Sequence, residues 1–210
     1  MLTLALLLIL SRLASQACSD EGAQRARAAA PIRTMATLAL VAVLGTIVAG
    51  GYMAARDLHG TDPQQAKTVA IDAHMACGKQ FPTCNDAFLP FGESKAVDIH
   101  LAHRAFMYTS VLLIAALSIL VLRRRRQMAP GQARGLTRWL AAVDGVLVVQ
   151  VLLGALNVWL GEHEWLIVVH LTTGMLLWSA LVLLCASALG LQLPEPASQR
   201  RKAAVEAVPI

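Results

Sequence analysis

Four long apolar blocks, separated by polar and charged segments, dominate the pattern of the chain. They cover residues 35–55, 99–122, 139–160 and 165–191. A helix needs about 20 mostly apolar residues to cross a bilayer, so each block is long enough to span a membrane. Of the 210 residues, 57% are hydrophobic and 15% are charged, which is too apolar for an ordinary soluble domain. The pattern therefore predicts an all-α integral membrane protein, built as a bundle of four transmembrane helices.

The basic residues indicate the orientation of this bundle. Segment 122–138, between the second and third blocks, carries six arginines, and further basic residues flank the outermost blocks: Arg25, Arg27, Arg33, Arg200, Arg201 and Lys202. Because segments rich in Lys and Arg stay in the cytoplasm, both termini are predicted to be cytoplasmic and loop 56–98 to face outward. This arrangement is typical of a multi-pass protein of the cell (plasma) membrane. It accounts for the formal net charge of +5, so nucleic acid is not a predicted partner.

The membrane domain is predicted to cover residues 35–191, with a cytoplasmic tail at 192–210. The first 34 residues contain "MLTLALLLIL", which is too short to span and ends before Arg12. This segment is either the core of a signal peptide, with a loose lipoprotein-like site at Cys18, or the end of a longer helix. A non-essential or truncated leader is the favoured interpretation.

The two halves of the domain resemble each other. "VLGTIVAGG" in the first block is similar to "LLGALNVWLG" in the third, and "HRAFMYTSVLLIAALSILVL" in the second has a counterpart in "HLTTGMLLWSALVLLCASAL" in the fourth. Each half reads as a helix that crosses outward and a helix that returns with a histidine near its outer end. The pattern predicts a bundle made of two repeated helix pairs.

The two histidines of the returning helices are candidate ligands of a haem iron. His103 precedes Arg123 by 20 residues, and His170 precedes Gly190 by the same number, which places both imidazoles about 30 Å from the cytoplasmic boundary. Two histidines at one depth on neighbouring helices can supply the two axial nitrogens of a six-coordinate haem. The alternative for each is an ordinary hydrogen-bonded residue between helices. His100 lies three residues before His103 and is the rival ligand or a second polar partner.

Other polar and small residues extend this candidate site. Arg104 could pair with a haem propionate, and Gly174, one turn after His170, could let a flat porphyrin pack close. Gln150 and Asn157 share a face of the third block. Buried amides usually point into a bundle, so these two either contact the haem or only hold helices together.

The predicted outward loop contains two cysteines, Cys77 and Cys84, in "ACGKQFPTCNDAFLP". An oxidising compartment permits a disulfide between them, which is either a structural clip or a redox-active pair. A zinc site with His74 is a weaker alternative, since the close paired spacings of zinc ligands are missing. Cys185, inside the last block, is interpreted as a small apolar residue.

Taken together, "ACGKQFPTCND", "HLAHRAF", "QVLLGALNVWLG" and "VVHLTTGMLLW" resemble the haem A synthase family over about residues 40 to 190. The resemblance implies oxidation of the C8 methyl of haem O to the formyl group of haem A, for cytochrome oxidase assembly. It also implies a haem b cofactor, with haem O and haem A as substrate and product. His103 and His170 stand at the family's ligand positions, and Cys77 and Cys84 at its loop pair. Haem O synthase and cytochrome oxidase assembly factors are the implied partners, beside the lipid bilayer.

The chain departs from the family's pattern in three ways. It contains one four-helix half where the family has two, so the second haem site either comes from another subunit, most simply in a homodimer, or is absent. Gly45, Gly50 and Gly51 on the first helix could let subunits, or helices of one subunit, approach closely. His100 stands where the family's substrate half has an acidic residue, and Asp98 is the nearest carboxylate; these two are the candidate catalytic residues.

The third departure is that Phe81 and Asp86 replace the family's usual Trp and Gly.

An alternative function is a four-helix b-type haem subunit for electron transfer or assembly, without methyl oxidation. A membrane thiol oxidase is a distant third, because such enzymes normally need a C-x-x-C pair and a second cysteine pair.

Overall fold

The structure, a computed structural model, describes residues 20–55, 73–128, 130–161 and 163–188, with side chains from residue 30 onward. These described residues form four α-helices: α1 (Asp20–Ala54), α2 (Lys95–Arg124), α3 (Pro130–Leu160) and α4 (Glu164–Ala188). Two short 3₁₀ turns, Met75–Cys77 and Arg125–Gln127, precede and follow α2. Within the described ranges, four segments are long and apolar enough to cross a membrane: Ala30–Ala54, Lys95–Gln127, Pro130–Leu160 and Glu164–Ala188. The predicted all-α architecture with four membrane-length helices is therefore confirmed.

The helix boundaries differ from the apolar blocks because polar residues extend three of the helices. α1 begins at Asp20 and passes through Pro31, so residues 20–34 of the predicted leader are helical. The rest of that leader and the predicted tail 192–210 lie outside the described residues. α2 begins at Lys95, where the Ser94 hydroxyl accepts a hydrogen bond from the Val97 N–H at 3.2 Å, as an N-cap does.

α3 begins well before Trp139, inside the segment predicted to be a basic loop. Its first residue is Pro130, which suits the first turn of a helix because that turn needs no N–H donor and has the φ that proline imposes. The connection between α2 and α3 is therefore short, and several arginines of the linker lie on helical turns.

The helices pack as a ring. α1 runs along α2 and α3 along α4, and contacts of α1 with α4 and of α2 with α3 close the bundle. The larger of two buried apolar clusters occupies the half of this ring next to the α2–α3 connection, and a smaller one, made of Cys77, Cys84, Val97 and Leu101, lies at the opposite end. The main members of the larger cluster are Ile32, Ala36, Ala39 and Val43 of α1, Ile114, Leu117 and Val121 of α2, Leu136, Leu140 and Val143 of α3, and Leu177, Leu181 and Leu184 of α4. We call the region of the larger cluster the basic half and the opposite region, which ends at the Cys77–Cys84 loop, the loop half.

Polar contacts also join the helices. The Thr46 and Ser110 hydroxyls lie 3.1 Å apart between α1 and α2. Within the basic half, the Ser118 hydroxyl of α2 lies 2.8 and 3.0 Å from the two carboxylate oxygens of Asp144 on α3. A carboxylate at such depth needs a polar partner, and Ser118 supplies one.

Candidate functional site

The loop half of the bundle holds both candidate ligands. His103 projects from α2 and His170 from α4, and each side chain is partly buried. His103 packs against Gly50 near the end of α1, and His170 packs against Gly154 near the end of α3. The structure thus places the two histidines that the sequence singled out at the same end of the bundle, on helices that are not adjacent in the ring.

The neighbours of His103 fix which of its ring nitrogens carries the proton. Nδ1 lies 2.9 Å from the carbonyl oxygen of Thr46 on α1. A carbonyl oxygen only accepts hydrogen bonds, so Nδ1 is the donor and the neutral ring keeps its lone pair on Nε2. Metal-bound histidines are commonly held in this way by a backbone carbonyl. Gly50 makes the approach possible, because a Cβ there would lie 3.0 Å from the His103 ring.

His170 has different neighbours. Its Nε2 lies 3.3 Å from the side-chain nitrogen of Gln150 on α3, and its Nδ1 is buried with no hydrogen-bond partner among the described residues. A Cβ at Gly154 would lie 3.2 Å from this ring, so a glycine again leaves space for the imidazole. Gly174 does the same for Gln150, whose amide nitrogen would lie 3.2 Å from a Cβ there. The space beside Gly174 is therefore filled by Gln150 in this structure.

Three buried polar atoms of the loop half lack partners in the described part of the chain. They are Gln150 Oε1, Asn157 Oδ1 and His170 Nδ1. The Asn157 amide nitrogen donates to the Leu153 carbonyl of its own helix, at 2.9 Å, which leaves its oxygen unpaired. An unsatisfied buried polar group costs about 1–3 kcal/mol. A ligand with polar groups, bound between α3 and α4, would remove that cost.

A haem fits this set of donors better than a bare metal ion does. Within the described residues, no group of three or more His, Cys, Asp or Glu side chains could hold a metal ion. Haem iron needs only two protein nitrogens, because the porphyrin supplies the other four. The Nε2 of His103, the His170 ring and the unpaired amide oxygens all lie in the loop half, outside the larger apolar cluster.

A loop closed by a disulfide lies against α2, on a different face from the one that carries His103. Cys77 and Cys84 are bonded, with Sγ–Sγ 2.05 Å, and both are buried. The zinc alternative is thereby wrong, since both sulfurs are used in the disulfide and the described residues contain no such metal site. Between Cys84 and Ala87 the backbone makes two reciprocal hydrogen bonds of 2.9 and 3.0 Å.

Asn85 and Asp86, the central residues of this Cys84–Ala87 turn, have φ of 47° and 63°. Positive φ favours glycine but is tolerated by Asn and Asp, so Asp86 is compatible with a position where the family has Gly. Gln80 supports the turn, because its side chain donates to Asp86 Oδ1 and accepts from the Asp86 N–H, both at 2.9 Å. Phe81, in place of the family's Trp, packs edge-on against Trp159 with ring centroids 6.2 Å apart.

Three side chains on one face of α2 bind the backbone of this loop. His100 Nδ1 lies 2.9 Å from the Ala73 carbonyl oxygen, and the Tyr108 hydroxyl donates to the Pro82 carbonyl at 3.0 Å. Between them, Arg104 donates to the carbonyls of Thr83 and Gln80, at 2.7 and 2.8 Å. These residues are spaced i, i+4, i+8, and we call them the α2 stripe. The spacing is visible in the sequence, but nothing in the sequence indicates that Tyr108 and its two neighbours on this face bind a loop.

The α2 stripe changes the interpretation of two predicted site residues. Arg104 is 3% exposed and stacks over Phe81, at 5.6 Å from the ring centroid, so its observed contacts are with the loop. His100 is 4% exposed and faces the loop, whereas His103 faces α1; the two do not share partners, although they are three residues apart. Asp98, the other candidate catalytic residue, accepts a 2.7 Å hydrogen bond from the Gly92 N–H.

Sequence comparison finds known proteins that are similar to this chain. A sequence model of the family COX15-CtaA, described as cytochrome oxidase assembly protein, matches residues 1–182. The chain is 31% identical over 120 residues to "Heme A synthase" of Geobacillus thermodenitrificans, covering 57% of this chain and 36% of that protein. It is 30% identical over 111 residues to "Heme A synthase" of Geobacillus kaustophilus, covering 52% and 33%.

The chain thus spans about a third of the length of the curated relatives it matches. No solved structure matches the chain. Four membrane-length helices, the cysteine loop and the family match over residues 1–182 lead to one conclusion. The protein belongs to the COX15-CtaA family of cytochrome oxidase assembly proteins.

Proposed function

We propose that this protein binds haem in the loop half of its bundle, with His103 and His170 as axial ligands of the iron, and acts in the oxidation of haem O to haem A. The observation that carries the proposal is the His103 ring, whose Nδ1 is held by the Thr46 carbonyl so that Nε2 is available to a metal. The unpaired buried atoms of Gln150, Asn157 and His170 support it.

Bound haem would supply a redox-active iron and, in the case of haem O, the methyl group that is oxidised. The chain's own residues have simpler tasks. Thr46 fixes the tautomer and orientation of His103, while Gly50 and Gly154 leave room for the two imidazoles. Gln150 and Asn157 offer amide oxygens that can accept hydrogen bonds in the same region. The disulfide loop, held on the α2 stripe, covers α2 at this end of the bundle.

The remaining parts of the proposal concern topology and assembly. The Arg-rich connection of α2 and α3 is assigned to the cytoplasm and the disulfide loop to the outer face, since basic segments are retained inside. The resemblance implies two haem sites, one for a haem b cofactor and one for the substrate. One four-helix unit offers one such histidine pair in its described residues, so we assign the second haem to a second unit, most simply another copy of this chain.

The alternative function, a b-type haem subunit without methyl oxidation, is favoured by one observation. The two residues that could replace the family's acidic residue are already engaged, His100 by the Ala73 carbonyl and Asp98 by the Gly92 N–H. If both contacts persist during turnover, His100 and Asp98 stay held by the loop rather than by a substrate, even though His100 Nε2 and the second Asp98 oxygen are not used in these contacts.

Conversion of haem O separates the two functions. The protein is produced in cells that make haem O but lack haem A synthase, and the haems are extracted from membranes and separated by chromatography. The proposed function predicts haem A in these extracts and none in cells with the His103→Ala variant. Purified protein that carries haem b while the membranes contain only haem O and haem b would establish the electron-transfer alternative instead.

A further inference from the structure

A basic groove lies at the end of the bundle opposite the candidate haem site. It has a volume of about 800 Å³ and is open to the surroundings. Four arginines line it: Arg125 and Arg126 from the 3₁₀ turn after α2, and Arg134 and Arg138 from the first turns of α3. Arg134 and Arg138 are four residues apart and therefore lie on one face of α3. Three small side chains of α3, Ala133, Thr137 and Ala141, complete the lining.

The positive charge of this groove is not neutralised within the described residues. Arg125, Arg126 and Arg134 have no ion pair or hydrogen bond to any described side chain, and Arg138 lies over the Trp139 ring, 5.4 Å from its centroid. The sequence contains no Asp or Glu between Asp98 and Asp144. Asp144 itself is held by Ser118 inside the bundle. Four guanidinium groups that have no acidic neighbour among the residues the structure describes create a strong local field for anions.

The position of the groove identifies the class of anion. It lies where two membrane-length segments end, Lys95–Gln127 and Pro130–Leu160, which is the depth of lipid headgroups. Leu122, exposed on the last turns of α2, provides an apolar surface next to the arginines. Guanidinium groups bind phosphate oxygens through paired N–H donors. Basic pockets between helices at this level of a membrane bind anionic lipid headgroups.

We propose that this groove is a binding site for the phosphate headgroup of an anionic glycerophospholipid from the adjacent leaflet. The acyl chains of the lipid lie along the apolar surfaces of α2 and α3, and Arg134 and Arg138 hold the phosphate. The inference does not depend on the proposed haem chemistry, since it rests on the opposite end of the bundle.

A pair of matched substitutions tests the site. Phosphatidylglycerol is titrated into purified protein in a neutral detergent, and bound lipid is counted by native mass spectrometry, with phosphatidylcholine as the uncharged comparison. A basic residue near an anionic headgroup contributes about 1 kcal/mol, so Arg134→Gln and Arg138→Gln are each expected to weaken phosphatidylglycerol binding about fivefold. Arg123→Gln is the control, because Arg123 is exposed in the same basic run but does not line the groove.

Three results would overturn the proposal. One is equal weakening by Arg123→Gln, which would mean general attraction to a basic surface. Another is equal binding of phosphatidylcholine and phosphatidylglycerol by the unchanged protein. The third is displacement of the lipid by inorganic phosphate at millimolar concentration, which would make the groove a site for free anions rather than for a lipid.

Discussion

His103 carries most of the chemistry proposed here, and its properties follow from two neighbours on α1. The Thr46 carbonyl takes the proton-bearing nitrogen, at 2.9 Å, and Gly50 leaves the space in which the ring lies. The hydroxyl of Thr46 is also occupied, by the Ala42 carbonyl at 3.0 Å and by Ser110 at 3.1 Å. The position of Thr46 is therefore fixed on three sides, and so is the orientation of the imidazole that it holds.

Adding one methyl group to α1 tests this packing. Gly50→Ala would place a Cβ 3.0 Å from the His103 ring, while Gly51→Ala, one residue later, meets nothing within 4 Å. Overpacking of this kind costs about 1–3 kcal/mol, so haem affinity of the Gly50→Ala variant is expected to fall on the order of tenfold or more. Gly51→Ala should bind haem as the unchanged protein does. Equal affinities for the two variants, measured by haem titration, would show that His103 does not need its observed position.

Arg104 gives a second test at the level of one residue. Its two nitrogens bind two loop carbonyls at once, which a lysine ammonium cannot reproduce. Both Arg104→Lys and Arg104→Gln are therefore expected to speed amide hydrogen exchange in residues 73–94, with Arg123→Gln as the exposed control. If the Arg104→Lys variant slows exchange in the loop as much as arginine does, the charge of residue 104 protects the loop and the paired hydrogen bonds do not. That result would contradict the observed geometry and would favour the predicted contact with a haem propionate.

At the scale of elements, the α2 stripe explains how an irregular loop can lie along a membrane helix. Backbone groups without partners are not tolerated in a bilayer. The carbonyls of Gln80, Pro82 and Thr83 are satisfied by Arg104 and Tyr108, and that of Ala73 by His100. The disulfide closes the same loop from within. Loop and helix thus form one polar unit on the side of α2 away from α1.

Removal of the disulfide should loosen this unit. Closing so short a ring is worth about 2–3 kcal/mol in the chain-entropy account, so a Cys77→Ser/Cys84→Ser variant is expected to lose haem at a lower temperature. Cys185→Ala is the control, because Cys185 is the free cysteine of the described residues and lies in α4. Mass mapping of non-reduced peptides should recover the Cys77–Cys84 link in protein taken directly from membranes; two freely alkylated thiols would contradict it.

The helices and the loop also show which parts of the fold and of the site could be predicted from the sequence. The four apolar blocks predicted the four spans because bilayer thickness sets a minimum length, and the depth argument selected His103 and His170. The starts of α1 and α3 differ from the predicted ones, since polar residues in α1 and Pro130 with the residues after it in α3 extend each helix beyond its apolar part. The contacts of Arg104 and His100 with the loop could not be predicted, because they depend on where an irregular segment folds back on α2.

At the scale of the whole molecule, the two halves of the bundle differ in how they are stabilised. The basic half contains the larger apolar cluster, whereas the loop half contains a smaller one, two histidines and three of the four unpaired buried polar atoms of the described residues. Dispersion and packing hold membrane helices together, so the loop half lacks part of that stabilisation when no ligand is bound. Haem binding is therefore expected to order the loop half more than the basic half.

A homodimer is the simplest assembly that provides a second haem site. Of the three glycines that could have served a subunit contact, Gly45 is covered by Phe106 and Gly50 by His103 within one chain, and Gly51 has open space around it. Close packing inside the monomer therefore accounts for two of them. Native mass spectrometry in mild detergent is expected to find a dimer with two haems. A strictly monomeric protein that still produces haem A would contradict this expectation.

The ligands of the iron are the central claim, and the optical and electron paramagnetic resonance spectra of the purified protein test it most directly. Six-coordinate, low-spin haem is predicted for the unchanged protein and for His163→Ala, which alters an exposed histidine outside the bundle. His103→Ala and His170→Ala are each predicted to lose that spectrum or to give a five-coordinate, high-spin one. If both variants keep the low-spin spectrum, the ligand assignment is wrong, and His100 is the next residue to replace.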